Sequence, residues 1–317
     1  SAHSPKVTVK DGDEVLTEKK DYTLSWTSDM ISVGEKNVTV TGAGNYEGST
    51  GSATYRITKK NQDAVAISGA DSKTYGDADF EIKVSGGSGT GAYTLTSSSD
   101  DVLTLTPKGA DTWTAHIVKA GTVTLTANRA GDDNYEAATQ TQIQLTISPK
   151  SVAGLEVTLP DDFSATYTGS AITPEVTVKD GGATLTKDTD YTVSYKNNVD
   201  AGTATVTITG KGNYDSATSK DITFKIEPKT LTEGDFTIDT ADKDYTGEQI
   251  TPSVSSTVLT SGKDYDVAYG ENINAGSGTI TITGKGNYTG TIEKTFTINK
   301  VEYTGEKATE LSVLSNK

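Results

Sequence analysis

One five-residue element constrains this chain more than anything else in it. Gly210-Lys211-Gly212-Asn213-Tyr214 recurs as Gly284-Lys285-Gly286-Asn287-Tyr288, with a variant at Gly42-Ala43-Gly44-Asn45-Tyr46 and a looser one at Gly131-Asp132-Asp133-Asn134-Tyr135. The tyrosines that close the four copies stand 89, 79 and 74 residues apart. A period that long is too great for one supersecondary unit and matches a small sandwich domain. Other landmarks keep their order around it. Tyr-Thr-Gly stands at 167–169, 245–247 and 303–305, followed by Pro174 and Pro252, then Asp190-Tyr191 and Asp264-Tyr265. Tyr195 and Tyr269, Asn198 and Asn272, and Ala201-Gly202 and Ala275-Gly276 come next.

Between the landmarks, apolar residues alternate with threonine, as in Ala204, Val206 and Ile208 set among Thr203, Thr205, Thr207 and Thr209. Period-2 alternation marks strands with one buried and one wet face, and threonine gives the wet face β propensity without apolar surface. The chain therefore reads as all-β, a tandem array of small β-sandwich domains forming an elongated rod. This accounts for a hydrophobic content of 33%, which would otherwise point toward disorder. Short polar linkers follow the closing strands and place the boundaries. Residues 1–59 form repeat 1, 60–149 a divergent repeat 2, 150–228 repeat 3, 229–300 repeat 4, and 301–317 a strand-sized tail.

The composition excludes several functions. Lys+Arg 28 against Asp+Glu 43 gives a net charge of −15, which opposes nucleic-acid binding. No apolar run approaches the roughly 20 residues of a membrane span, so direct membrane insertion is not expected. Cys is absent, and His3 and His116 are the only histidines, leaving little for nucleophilic or neutral-pH acid–base chemistry. The chain is read as a non-enzyme with no catalytic residues, cofactor or metal. The acidic pairs Asp132-Asp133 and Asp161-Asp162 could offer oxygens to Ca²⁺, but no Asp-x-Asp-x-Asp-Gly loop is present and they read as a solvated face. Gly-x-Gly-Asn-Tyr lacks the third glycine and the helix of a dinucleotide loop. Its Gly and Asn tolerate the positive φ that a tight turn or bulge requires, and the tyrosine hydroxyl is expected on a backbone group. In repeat 2, Tyr93 and Trp113 are the candidate ligand-binding aromatics.

The ordered landmarks resemble the Ig-like tandem repeats of bacterial surface proteins. Repeat 2, with Tyr75-Gly76-Asp77 and its Gly-Asp-Asp-Asn-Tyr turn, resembles the MBG-type repeats of the same proteins. The resemblance covers nearly the whole chain. It implies an extracellular, bacterial cell-surface stalk or adhesive array without catalytic residues. The chain departs from the family in carrying no sorting motif and no cell-wall or lectin domain.

The ends complement each other. Ser1–Gly12 aligns with Ser170–Gly181, nine of twelve pairs being identical, so repeat 1 begins just past the place of its Tyr-Thr-Gly strand. Residues 301–317 bring such a strand, with Val301, Tyr303, Gly305, Leu311, Val313 and Leu314 as candidate assembly residues. One reading is a piece cut from a longer array. The other is head-to-tail assembly of the chain with itself, the tail of one copy completing repeat 1 of the next. A surface glycan or host protein is the alternative partner, for an adhesin fragment.

Overall fold

A computed structural model describes residue 2 and residues 4–302. Among these residues there are β-strands and four short 3₁₀ turns, and no α-helix. The protein is an all-β array of small Ig-like sandwiches. Every multi-residue ladder stays within the span of one repeat. Two compact units emerge, Ser1–Lys150 with Gly212–Ser216, and Ser151–Lys211 with Ala217–Lys317.

Repeat 3 shows how the alternation becomes a core. Strand Gly202–Gly210 lies between Ser219–Glu227 and Tyr191–Lys196, both antiparallel to it. Its Ala204, Val206 and Ile208 are fully buried while the threonines face outward. On the far edge, the short strand Ala165–Thr166 runs parallel to the closing strand, pairing Ala165 with Ile226. A second sheet of Glu156–Thr158, Thr177–Asp180 and Ala183–Thr184 belongs to the same repeat. This short parallel strand recurs as Lys73–Thr74 against Ile147 and Ser148, and as Lys243–Asp244 against Ile298 and Asn299.

The Asp-Tyr pairs act as expected. Asp21, Asp190 and Asp264 accept the N–H groups of Thr17, Thr186 and Thr260 at 2.9, 2.8 and 2.8 Å, closing the turn before a strand. The adjoining Tyr22, Tyr191 and Tyr265 are buried. In the recurrent turn, the two glycines have separate duties. Gly44, Gly212 and Gly286 hold φ of 61, 60 and 64°, a region that strains any side chain with a Cβ. A Cβ on Gly42 would lie 2.0 Å from the Tyr46 carbonyl oxygen, so this glycine serves close approach instead.

One expectation about this turn is sharpened and another corrected. Its asparagines do not take positive φ, because the second glycine already supplies the bend. Tyr46, expected to set its hydroxyl on a backbone group, instead sets it on the Asp11 carboxylate at 3.3 Å, while Tyr195 donates to the Pro174 carbonyl at 2.5 Å and Tyr269 to that of Pro252 at 2.7 Å.

Repeat 1 differs. Its sheet is Tyr22–Trp26, Gly34–Gly42 and Thr50–Ile57, and no described residue supplies a parallel strand beyond Thr50–Ile57. Tyr22 and Val38 are its only buried hydrophobic residues among those described. Ile57 is half-buried, whereas its counterparts Ile147, Ile226 and Ile298 are buried. Lys36 stands where the other sandwiches have Ala204 and Gly278, and its Nζ reaches Asp29 at 3.0 Å.

Candidate functional site

Two surfaces stand out, an open sheet edge in repeat 1 and a recurrent contact built on the Asn-Tyr turn. The edge lies along Tyr55–Lys60, where a groove of about 730 Å³ is lined by those residues with Ser4 and Pro5. It occupies the place that Ala165–Thr166 fills beside Ile226 in repeat 3. A second opening of about 610 Å³ lies on the other side of the repeat 1 core, lined by Val7, Val9, Leu16, Tyr22 and Val40. Open edges carry unpaired backbone groups and accept further strands. Of the candidate tail residues, Val301 is exposed. Tyr303, Gly305, Leu311, Val313 and Leu314 lie outside the described residues.

The second surface was not anticipated from the sequence. Within unit 2, the turn holding Asn287 and Tyr288 docks on repeat 3. Asn287 Oδ1 accepts the N–H of Ala201 at 2.8 Å, and its Nδ2 donates to Asp200 at 2.9 Å. The Asn287 carbonyl accepts from the linker residue Lys229 at 2.9 Å, and Thr289 accepts from Leu231 at 2.9 Å. Tyr288 sets its ring edge-to-face with Tyr167 of the first Tyr-Thr-Gly, centroids 5.5 Å apart. Offset and edge-to-face geometry is the favoured one for aromatic quadrupoles.

Unit 1, which includes Gly212–Ser216, repeats this pattern. Asn213 Oδ1 accepts from Ala120 N–H at 3.0 Å, its carbonyl accepts from Lys150 at 2.9 Å, and Tyr214 meets Tyr75 edge-to-face at 5.7 Å. Ala120 and Ala201 both precede a strand-opening glycine, Gly121 and Gly202. The landmark Ala-Gly is thus a receptor for the landmark Asn. In the divergent turn, Asn134 receives the N–H of Lys60 at 2.9 Å. There Asp133 stands at the place of the bending glycine, and the preceding Asp132 braces the turn. The Asp132 carboxylate accepts from Asn134 and Tyr135 at 2.9 and 2.8 Å, and from Thr90 N–H at 2.6 Å. These donors, led by Thr90, hold its pKa down to about 2.

The aromatic candidates fall differently. Trp113 is 6% exposed and packs in the repeat 2 core with Ala115 and Ile117, so the reading of it as a ligand-stacking surface ring is corrected. Tyr93 is half-buried. Its hydroxyl donates to Gly86 at 2.6 Å, and the Arg129 guanidinium lies over its ring at 4.6 Å. The two residues form no exposed platform. His116 pairs with Asp79 at 2.7 Å on the surface. Among the described residues, no group of three or more acidic or histidine side chains converges. No described helix is long and apolar enough to cross a membrane.

No protein-family model matches the chain, and no curated protein sequence matches it. Among solved structures, the chain is similar to the protocadherin gammaB7 EC3-6 cis-dimer, at TM-score 0.27 and 10% identity, over 95% of this chain and 97% of that one. It is also similar to surface layer protein SbsC, domains 4-9, at TM-score 0.24 and 16% identity, over 92% of this chain and 42% of that one.

Proposed function

We propose that this chain is a non-catalytic structural array of an extracellular bacterial surface, a stalk or filament unit that joins copies of itself end to end. In this reading a strand from residues 301–317 of one copy lies along Tyr55–Lys60 of the next, parallel to Thr50–Ile57. The observation that carries it is the vacant strand position in repeat 1. Three of the four repeats fill that position with their own residues, at Lys73, Ala165 and Lys243. The half-buried Ile57, whose counterparts in the other repeats are buried, is what a vacant strand position leaves behind. Such a contact is heterologous and need not close on itself, so it propagates.

The polar residues support a structural role. Asp21, Asp132, Asp190, Asp235 and Asp264 are all engaged with backbone N–H groups of turns. Placement outside the cell and in bacteria rests on the resemblance of the repeat landmarks. A peptide of residues 301–317 added to a chain lacking them tests the strand directly. Amide exchange at Ile57–Lys59 should slow when the peptide is added, while Lys60, whose amide already donates to Asn134, should not change. No change at saturating peptide would sink the strand-donation reading.

A further inference from the structure

The Asn-Tyr turn and its Ala-Gly receptor occur in this chain once more each than the described contacts use. Repeat 4 carries the receptor. Ala275 precedes the strand-opening Gly276 as Ala201 precedes Gly202, and no described group accepts its N–H. Tyr245 of the Tyr-Thr-Gly is 42% exposed and has no ring against it among the described residues. Its counterparts Tyr75 and Tyr167 are covered by Tyr214 and Tyr288. Val301 holds the third place after Ile298, the place Lys60, Lys150 and Lys229 hold after Ile57, Ile147 and Ile226. The amides of all three lysines donate to a turn asparagine, whereas Val301 is 60% exposed.

Repeat 1 carries the matching turn. Gly44–Tyr46 has the same 3₁₀ form as Gly212–Tyr214, with the same bend at the second glycine. Asn45 makes no side-chain hydrogen bond to any described residue. Tyr46 keeps its hydroxyl on Asp11 at 3.3 Å, and no described ring packs on it.

We infer that the Asn45-Tyr46 turn of a second copy of this chain docks on the Ala275, Tyr245 and Val301 surface. Asn45 Oδ1 accepts the Ala275 N–H, the Asn45 carbonyl accepts the Val301 N–H, and Tyr46 sets its ring against Tyr245. The occupant is specified by the two internal contacts, whose donor, acceptor and ring all recur at the two unmatched surfaces. This inference rests on the reading that copies join end to end and names a second contact for that joint. The two joints share Val301, but Asn45, Tyr46, Ala275 and Tyr245 belong to this contact alone, so the two can be separated.

The chain contains no cysteine, which permits a clean cross-linking test. Two single variants, A275C and N45C, are mixed under mild oxidation, one of them labelled with heavy isotopes. The paired variant A201C/N287C serves as reference, since it places thiols at a contact already formed within the chain. Closure of the reference bond and a mixed-mass dimer well above the statistical share support the docking. Closure of the reference with mixed and like dimers in statistical ratio overturns it. If assembly then still grows with concentration and still needs residues 301–317, the strand-donation reading survives alone. If the chain stays monomeric throughout, both fall.

Discussion

Replacing Asn287 with alanine isolates what the turn side chain contributes to the contact between repeats 3 and 4. The variant keeps the Asn287 carbonyl, and hence the bond from Lys229, but removes Oδ1 from the Ala201 N–H. The bond to Asp200 is exposed and contributes little. The Ala201 bond is partly buried. Losing such a bond and leaving its donor poorly solvated costs about 1–2 kcal/mol. That is roughly a 5- to 30-fold change in the local opening equilibrium. A single unfolding midpoint would blur the effect, because a multi-domain chain need not unfold in one step. Amide hydrogen exchange reads it locally. Exchange at Ala201 should speed up by that factor in Asn287→Ala, while the Ile280 amide of the repeat 4 core is unchanged. Asn287→Asp sets a carboxylate oxygen where Nδ2 now donates to Asp200 and should not restore the protection. Unchanged exchange at Ala201, or equal acceleration at Ile280, would refute the reasoning.

Gly278→Ala should destabilise repeat 4 by about 1–3 kcal/mol, because the new Cβ would lie 2.5 Å from the buried Phe296 ring; thermal unfolding measures it. Tyr195→Phe removes the donor to the Pro174 carbonyl and should cost about 0.5–1.5 kcal/mol in the same assay. Burial, the largest cause, raises the pKa of Tyr191, Tyr195 and Tyr288 above 10.0, so the folded state favours their neutral form. Their contribution is complete below pH 10 and is lost as pH rises through the raised native values. Urea midpoints should therefore stay level up to about pH 9.5 and fall beyond about pH 10; a level profile through pH 11.5 would contradict this. At the acid end Asp132, held at about 2, contributes above the unfolded value of 3.8 and loses that contribution as pH falls through its native value. Asp132→Asn should flatten the acid limb of repeat 2 unfolding followed by Trp113 fluorescence.

The strands were legible because alternation is local chemistry. Val206 and Ile208 announce a buried face through the threonines between them. The Asp-Tyr turns were legible for the same reason, since Asp190 caps a donor only four residues away. The Asn-Tyr contact was not. Asn287 and Ala201 are 86 residues apart, and a Gly-x-Gly-Asn-Tyr run is sufficiently explained by the demands of a turn. The recurrence of Ala-Gly beside Asn in the landmark order was the signal available. Trp113 was misread against a clue already present. It shares a strand face with Ala115 and Ile117, and period 2 sends all three inward together.

Sedimentation velocity of the full 317-residue chain over a concentration series, beside a chain lacking residues 301–317, tests self-assembly most directly. The account predicts species at multiples of 33.2 kDa that grow with concentration for the full chain, and a single monomer for the shortened one. A lone monomer at every concentration, or assembly that persists without residues 301–317, would contradict it.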